Sequence, residues 1–208
     1  MSTLLHVAAS PRGAASESRA LAATFLDAFT ETHPHVPVET LDLWDGTLPA
    51  FGPAATEAKM AVFAGREPSG EGAAAWRAVE ATFRWFDSAD RYLFSVPMWN
   101  AGVPYVLKQF IDVVSQPGML FGFDPATGYR GLLTGKRAAV VYTSAVYGPD
   151  RGPAFGSDFQ STFFTDWLRW AGIEDVTEIH LRPDLVADDV DVRRALAHAQ
   201  ARDAGKAF

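Results

Sequence analysis

"RYLFSVPMWNAGVPYVLKQFID" occupies residues 91–112, and its parts follow different periods. "RYLFSV" (91–96) is a nearly unbroken apolar run of strand length. "PMWNAGVP" has no period: Pro97 removes a backbone donor and ends the strand, and Gly102 and Pro104 shape the entry to the next element. From Val103 to about Ser115, Val103, Val106, Leu107, Phe110, Ile111 and Val114 recur at helical spacing. A buried strand thus passes through a short loop into a helix.

The same alternation extends in both directions. "TLLHVAA" (3–9) reads as a buried strand leaving through "SPRGAAS". A helix follows from Ser16, with Leu21, Phe25, Leu26 and Phe29 at helical spacing, and stops before Pro34 and Pro37. "VPVETLDL" (36–43) alternates imperfectly and reads as a second strand. Residues 44–72 are rich in Pro, Gly and Ala and read as a long surface excursion with a short helix near Thr56–Phe63. A helix over 73–90 carries Trp76, Val79, Phe83 and Phe86 on one side. Beyond the opening stretch come a small hairpin, "MLFGFDPATGYRG", and the strand "RAAVVYTS" (137–144). "DFQSTFFTDWLRWAGI" reads as a helix with Phe159, Phe163 and Trp167 as its core stripe and Trp170 standing off it. Strand "VTEIHL" (176–181) and a helix over 187–204 close the chain.

Strand and helix alternate about five times without an internal repeat, and the apolar runs suit strands covered on both faces. The expectation is an α/β fold: one doubly wound, five-stranded parallel sheet of order 2-1-3-4-5, helices on both faces, and a single domain over residues 1–208. Such sheets bind ligands at the carboxyl ends of their strands, beside the switch point.

Bulk properties narrow the partners. The 208 residues are 48% hydrophobic, carry a net charge of −7 and contain no block of Lys or Arg, which disfavours nucleic acid and anionic membrane. Zero cysteines exclude disulfides, thiolate catalysis and Cys-ligated zinc. "MSTLLHVAAS" has no basic region and too short an apolar run for a signal sequence or span, so a cytoplasmic protein is expected.

Three loops are expected to meet at one sheet edge. "SPRGAASES" (10–18) holds Ser10, Ser16 and Ser18 and opens a helix, whose start suits a phosphate; Ser16 as a simple cap is the competing reading. Glu17 suits the helix dipole either way. Neither GxxxxGK[ST] nor GxGxxG is present. In the second loop, Asn100 both donates and accepts, and the N–H groups of Met98 to Ala101 are expected free for the edge of an isoalloxazine-like ring. Met98 and Trp99 offer polarizable surface to a ring face. A well-packed aromatic turn is the alternative. The third loop, "YTSAVYGPD" (142–150), brings Thr143, Ser144 and further amides alongside.

"PMWNAGVPYVLKQFID" followed by "TGKRAAVV" resembles the FMN-dependent NAD(P)H azoreductase and quinone oxidoreductase family of the flavodoxin-like superfamily. The similarity runs from "ASPRGAASES" through "FGF…GYRGLLTGKRA" to "WAGIEDV", most of the chain. The Pro-Met-Trp-Asn loop and its helix are fairly specific; the serine loop is specific by position. The resemblance implies that Ser10, Ser16, Glu17 and Ser18 hold the FMN phosphate. It implies that Met98, Trp99, Asn100 and Ala101 contact the ring, and that Thr143, Ser144, Ala145 and Val146 complete its site. It implies ping-pong reduction of quinones, azo compounds or a related conjugated acceptor, with hydride passing from NADH or NADPH through flavin N5. It also implies a homodimer with flavin sites at the interface, where Phe163 or Trp170 roofs the partner's flavin and Phe121 and Phe123 line the substrate side. One departure stands out: Ser144-Ala145-Val146-Tyr147 replaces a Ser-x-Gly-Gly type sequence, which restricts backbone approach to the ring and lets Val146 and Tyr147 narrow the substrate side.

No catalytic side chain is expected, because the cofactor carries the chemistry. His6 and His180 read as core or surface residues, and His33 and His35 have no carboxylates at metal-ligand spacing. Contacts choosing between NADH and NADPH are expected in 44–72. An FMN electron carrier, a specialised biosynthetic flavoenzyme and a flavin-free binding module on the same fold are the alternatives.

Overall fold

Strand β3 (Arg91–Pro97) lies at the centre of a five-stranded parallel sheet of order β2-β1-β3-β6-β7 in the computed structural model, which describes residues 2–185 and 187–208. The other strands are β1 (Leu4–Ala8), β2 (Val38–Asp42), β6 (Arg137–Thr143) and β7 (Asp175–Leu181). Counted by strands of this sheet alone, the order is the expected 2-1-3-4-5. The hairpin forms as β4 (Phe121–Asp124) and β5 (Gly128–Gly131), an antiparallel pair outside the sheet.

The apolar runs stay buried because helices cover both faces. On one face α1 (Glu17–Thr32) and α6 (Val190–Ala207) enclose Leu4, Leu93, Ala139, Val141 and Ile179, with Phe25, Phe29 and Phe208 between them. On the other, α3 (Gly70–Asp87), α4 (Tyr105–Val114) and α5 (Ser161–Ala171) bury Leu5, Val7, Tyr92, Phe94, Val96, Val140 and Tyr142. Alternate residues of β1 therefore enter different cores, as a period of two requires. No helix among the described residues is long and apolar enough to cross a membrane.

The 44–72 excursion is more ordered than its composition suggests. It contains α2 (Pro53–Phe63), started by Gly52 and Pro53, and Ala58 packs with Trp76 and Val79 of α3 and Val113 of α4. Gln109 donates to the Pro49 carbonyl at 3.0 Å and Lys59 to that of Ser115 at 3.3 Å. The hairpin is anchored by close backbone approach: a Cβ on Gly131 would lie 2.2 Å from the Gly172 nitrogen, and Gly172 ends α5 with φ 103°.

The expected core stripe of α5 is displaced by one residue. Phe159 lies before the helix and is 65% exposed, and Phe163 is 38% exposed. The buried face consists of Phe164, Thr165, Trp167, Leu168 and Ala171. Spacing of i, i+4 from Phe159 and spacing of i, i+3, i+4 from Phe164 both contain Trp167, and only the position of the sheet selects between them. Replacing Phe164 by Ala should cost about 3–5 kcal/mol, and replacing exposed Asp166 by Ala under about 0.5 kcal/mol. Denaturant unfolding of the two variants measures this, and similar losses would contradict the assigned face.

Candidate functional site

Register places the three loops together. Ala8 pairs with Ser95, Pro97 with Thr143, and Thr143 with Leu181, so the strands end side by side at one edge. Beyond Pro97 the chain makes a tight reversal. Trp99 and Gly102 exchange N–H···O bonds of 2.9 Å in both directions, with Asn100 at φ 50° and Ala101 at φ 67° between them. Reciprocal bonds and two positive φ angles are the signature of a type I′ turn. Asn tolerates the left-handed region; Ala pays about 1–2 kcal/mol there.

This turn revises the expected supply of free donors. The Met98 N–H is bound to the Thr143 carbonyl at 2.8 Å and that of Trp99 to Gly102, so neither is available. The N–H groups of Asn100 and Ala101 find no acceptor among the described residues. They sit on a half-exposed turn beside a cavity of about 200 Å³. Its lining joins Met98, Asn100 and Ala101 of the second loop to Ser144, Ala145, Val146 and Tyr147 of the third, with Phe155 and Gly156. Trp99 is not among the lining residues. Its indole packs on Trp44 and Tyr105, with ring centroids 5.7 and 6.3 Å away.

The third loop is fixed from β7. Ser144 donates its N–H to the Leu181 carbonyl, while its own carbonyl accepts from Asp184 at 2.8 Å. Its hydroxyl accepts from the Tyr147 N–H at 3.0 Å, so it shapes the loop and leaves Tyr147 beside the cavity. Thr143 is buried, and its carbonyl holds Met98. Arg151 donates to the Val146 carbonyl and lies 4.5 Å over the Phe155 ring, joining two walls of the cavity.

At the first loop, Ser16 caps α1: its Oγ accepts from the Arg19 N–H at 3.3 Å and lies 3.1 Å from Ser18 Oγ. The N–H groups of Glu17 and Ser18 have no acceptor among the described residues, and Ser10, Ser16 and Ser18 are buried. The cap and open donors therefore coexist: the serines order the turn while the first two helix amides keep no acceptor, the arrangement that suits an anion at a helix start. Glu17 is neutralised by Arg194 at 2.9 Å. Arg19 ties the loop down through the Ser10 carbonyl at 3.2 Å and Asp42 at 2.8 Å. The Trp44 indole donates to the Ala9 carbonyl at 3.0 Å, reaching across from the end of β2. Unpaired amides at both ends, buried hydroxyls at one and a cavity of about 200 Å³ at the other fit an elongated ligand with an anionic tail and a ring whose edge accepts hydrogen bonds.

Burial pushes the Asp184 carboxyl up, reinforced by Glu17. His6 is buried under this edge, 3.0 Å from Ser95 Oγ, and burial, with the Arg19 charge, lowers its pKa from 6.5 to about 4. It is a neutral interior residue.

The proposed substrate-side aromatics divide. Tyr147 lines the cavity; Phe121, Phe123, Phe163 and Trp170 do not. Phe121 is buried and packs on Trp170 at 4.9 Å, while Phe123 is exposed at the hairpin. Phe155 and Gly156 escaped the sequence reading because a Gly/Pro-rich loop has no period to place them; Trp44 escaped because it sits at the border of the weakly patterned excursion.

A parallel sheet with helices on both faces and a ligand site at its switch point defines the doubly wound nucleotide- and flavin-binding class. A family model described as "Flavodoxin-like fold" matches residues 2–204, and the chain belongs to this family. A protein of Ruegeria pomeroyi named FMN-dependent NADH:quinone oxidoreductase is 46% identical over 189 residues, covering 91% of this chain and 93% of that one. A protein of the same name from Desulfotalea psychrophila is 40% identical over 201 residues, covering 96% and 93%. The crystal structure of an azoreductase from Bacillus anthracis superposes with a TM-score of 0.91 at 24% identity over 100% of both chains, a likeness of fold.

Two outcomes follow from this geometry. Ala101→Gly should raise unfolding stability by about 0.5–1 kcal/mol, relief of left-handed strain exceeding glycine's entropic cost; a loss in urea titration would contradict the turn. For His6, the unfolded chain takes up a proton near 6.5 that the folded chain refuses until about 4. Stability therefore falls as pH drops through that window, by on the order of 3 kcal/mol for this group. Urea titrations should show a shallower decline for His6→Gln than for wild type; equal slopes would contradict the assignment.

Proposed function

We propose that this chain is one FMN-binding domain over residues 1–208 that transfers reducing equivalents from NADH or NADPH to quinones, azo compounds or a related conjugated acceptor, in ping-pong order, as a cytoplasmic homodimer. The observation that carries the reading is the pair of unpaired amides on the strained Asn100–Ala101 turn, which lines a cavity of about 200 Å³ together with Ser144–Tyr147. Relatives named FMN-dependent NADH:quinone oxidoreductase over most of the chain support it.

Bound FMN supplies a hydride acceptor and donor; the chain supplies position and exclusion of water. The Glu17 and Ser18 amides, with the Ser10, Ser16 and Ser18 hydroxyls, hold the phosphate at the start of α1. Asn100 and Ala101 donate to the ring's acceptor edge, Met98 gives it an apolar contact, and the Thr143–Val146 backbone closes its other side. Val146 and Tyr147 limit what can reach the ring. No side chain is assigned a proton-transfer role. A second copy covers the exposed Phe159 and Phe163 of the α5 region, which places Phe163 and Trp170 toward the partner's site with the Phe121–Phe123 hairpin alongside.

Purified protein should be yellow, and anaerobic NADH or NADPH should bleach the flavin band rapidly; slow or absent bleaching would favour an electron carrier, and a colourless protein that retains no added FMN would favour a flavin-free module. Replacing Ser16 and Ser18 together by Ala should weaken FMN by about 2–4 kcal/mol, as lost bonds to a charged group do. Fluorescence titration measures this, and unchanged affinity would refute the phosphate assignment.

A further inference from the structure

Arg182 follows β7, far from the three loops in sequence, yet its side chain is only 4% exposed. One guanidinium nitrogen, Nη1, donates to Asp158 at 2.6 Å, and Nη2 donates to Gln160 Oε1 at 2.8 Å. The guanidinium lies 4.9 Å over the Tyr142 ring and 5.8 Å from that of Tyr147. Gln160 is fully buried and spends its own amide on the Val96 carbonyl at 2.8 Å, the last acceptor before Pro97. The adjacent Phe159 N–H donates to the Ala101 carbonyl at 3.0 Å.

Consecutive residues 159 and 160 thus grip the β3 exit at both ends, one before Pro97 and one on the left-handed alanine. We propose that Arg182, acting through Gln160, is a positioning residue that holds the Asn100–Ala101 turn in register with the Ser144–Tyr147 loop. The proposal rests on the FMN reading above.

Asp158 also caps α5, accepting from the N–H groups of Gln160 and Ser161 at 3.0 and 2.8 Å and from the Ser161 hydroxyl. A cap alone requires no buried cation. A buried Arg–carboxylate pair adds little net stability compared with apolar packing, and here Arg182 Nε has no acceptor among the described residues. What the arrangement provides is geometry. A strained turn persists only when its surroundings over-determine it, and Arg182 touches the supports of both loops: Gln160 under the second and Tyr147 in the third. Its backbone neighbours Leu181 and Asp184 already clasp Ser144 from both sides.

The test compares wild type, Arg182→Met, Gln160→Met and the double variant, each FMN-loaded. The readouts are FMN Kd, the shape of the bound flavin's visible band, kcat and KM with NADH, and Tm. Each single variant should weaken FMN about tenfold, as losing one buried hydrogen bond does, alter the flavin band and lower kcat. The double variant should be no worse than the worse single one, because both act along one path. Variants that lose only Tm, with Kd, spectrum and kcat as in wild type, would overturn the proposal, as would additive losses in the double variant. Gln160→Met preserves side-chain volume and the Asp158–Arg182 pair, so it decides the matter should Arg182→Met not fold. Wild-type protein that takes up no FMN would refute the FMN reading itself, an outcome distinct from variants that match an active wild type.

Discussion

Parallel pairing of β3 with β1 on one side and β6 on the other is the constraint from which the site follows. In parallel strands every chain leaves at the same edge, so Ala8↔Ser95 and Pro97↔Thr143 deliver three loops to one place. The cost is that each exit carbonyl and amide must find a partner off the ladder. Met98 takes the Thr143 carbonyl, Ser144 takes that of Leu181, and Gln160 reaches in from α5 to the Val96 carbonyl. Satisfying the sheet's end is therefore also what orients the loops.

That accounting explains which donors remain. A flat loop would have offered four amides in a row; the Thr143 carbonyl takes that of Met98, the type I′ turn takes that of Trp99, and those of Asn100 and Ala101 are left without an acceptor among the described residues. Fewer donors on a rigid turn serve recognition better than many on a loose one, since ordering has been met during folding rather than at binding. The first loop shows the same economy. Ser16 satisfies Arg19, and the two amides left over are those at the start of α1, where the dipole favours an anion.

Sequence reading reached the architecture because the informative strands are continuous apolar runs between breakers, and period separates them from helices. It reached the three loops because strand order dictates where they meet. It missed the turn's conformation: Ala101 is a good helix former, and nothing in "WNAG" says that an alanine occupies the left-handed region without knowledge of what grips it. It misplaced the α5 face because consecutive Phe163 and Phe164 satisfy a helical stripe equally well, and only packing on Phe94 and Tyr142 chooses Phe164. Phe155 and Gly156 were invisible because their loop has no period, and Arg182 because a cation after a strand reads as a solvated residue until its burial is known.

The third loop brings side chains to the cavity. Val146 and Tyr147 stand where the family resemblance in the sequence implies glycines. Val146 is exposed at the cavity, its carbonyl bound by Arg151, and Tyr147 is half-buried between the cavity and Arg182. Two guanidinium groups adjoin this wall, Arg151 at the Val146 carbonyl and Arg182 at the Tyr147 ring. The 44–72 segment, packed by α2 onto α3 and contributing Trp44 beside Trp99, borders the opposite side of the turn. The third loop therefore brings side chains to the cavity, and the second brings amides whose free state depends on the turn and not on those side chains.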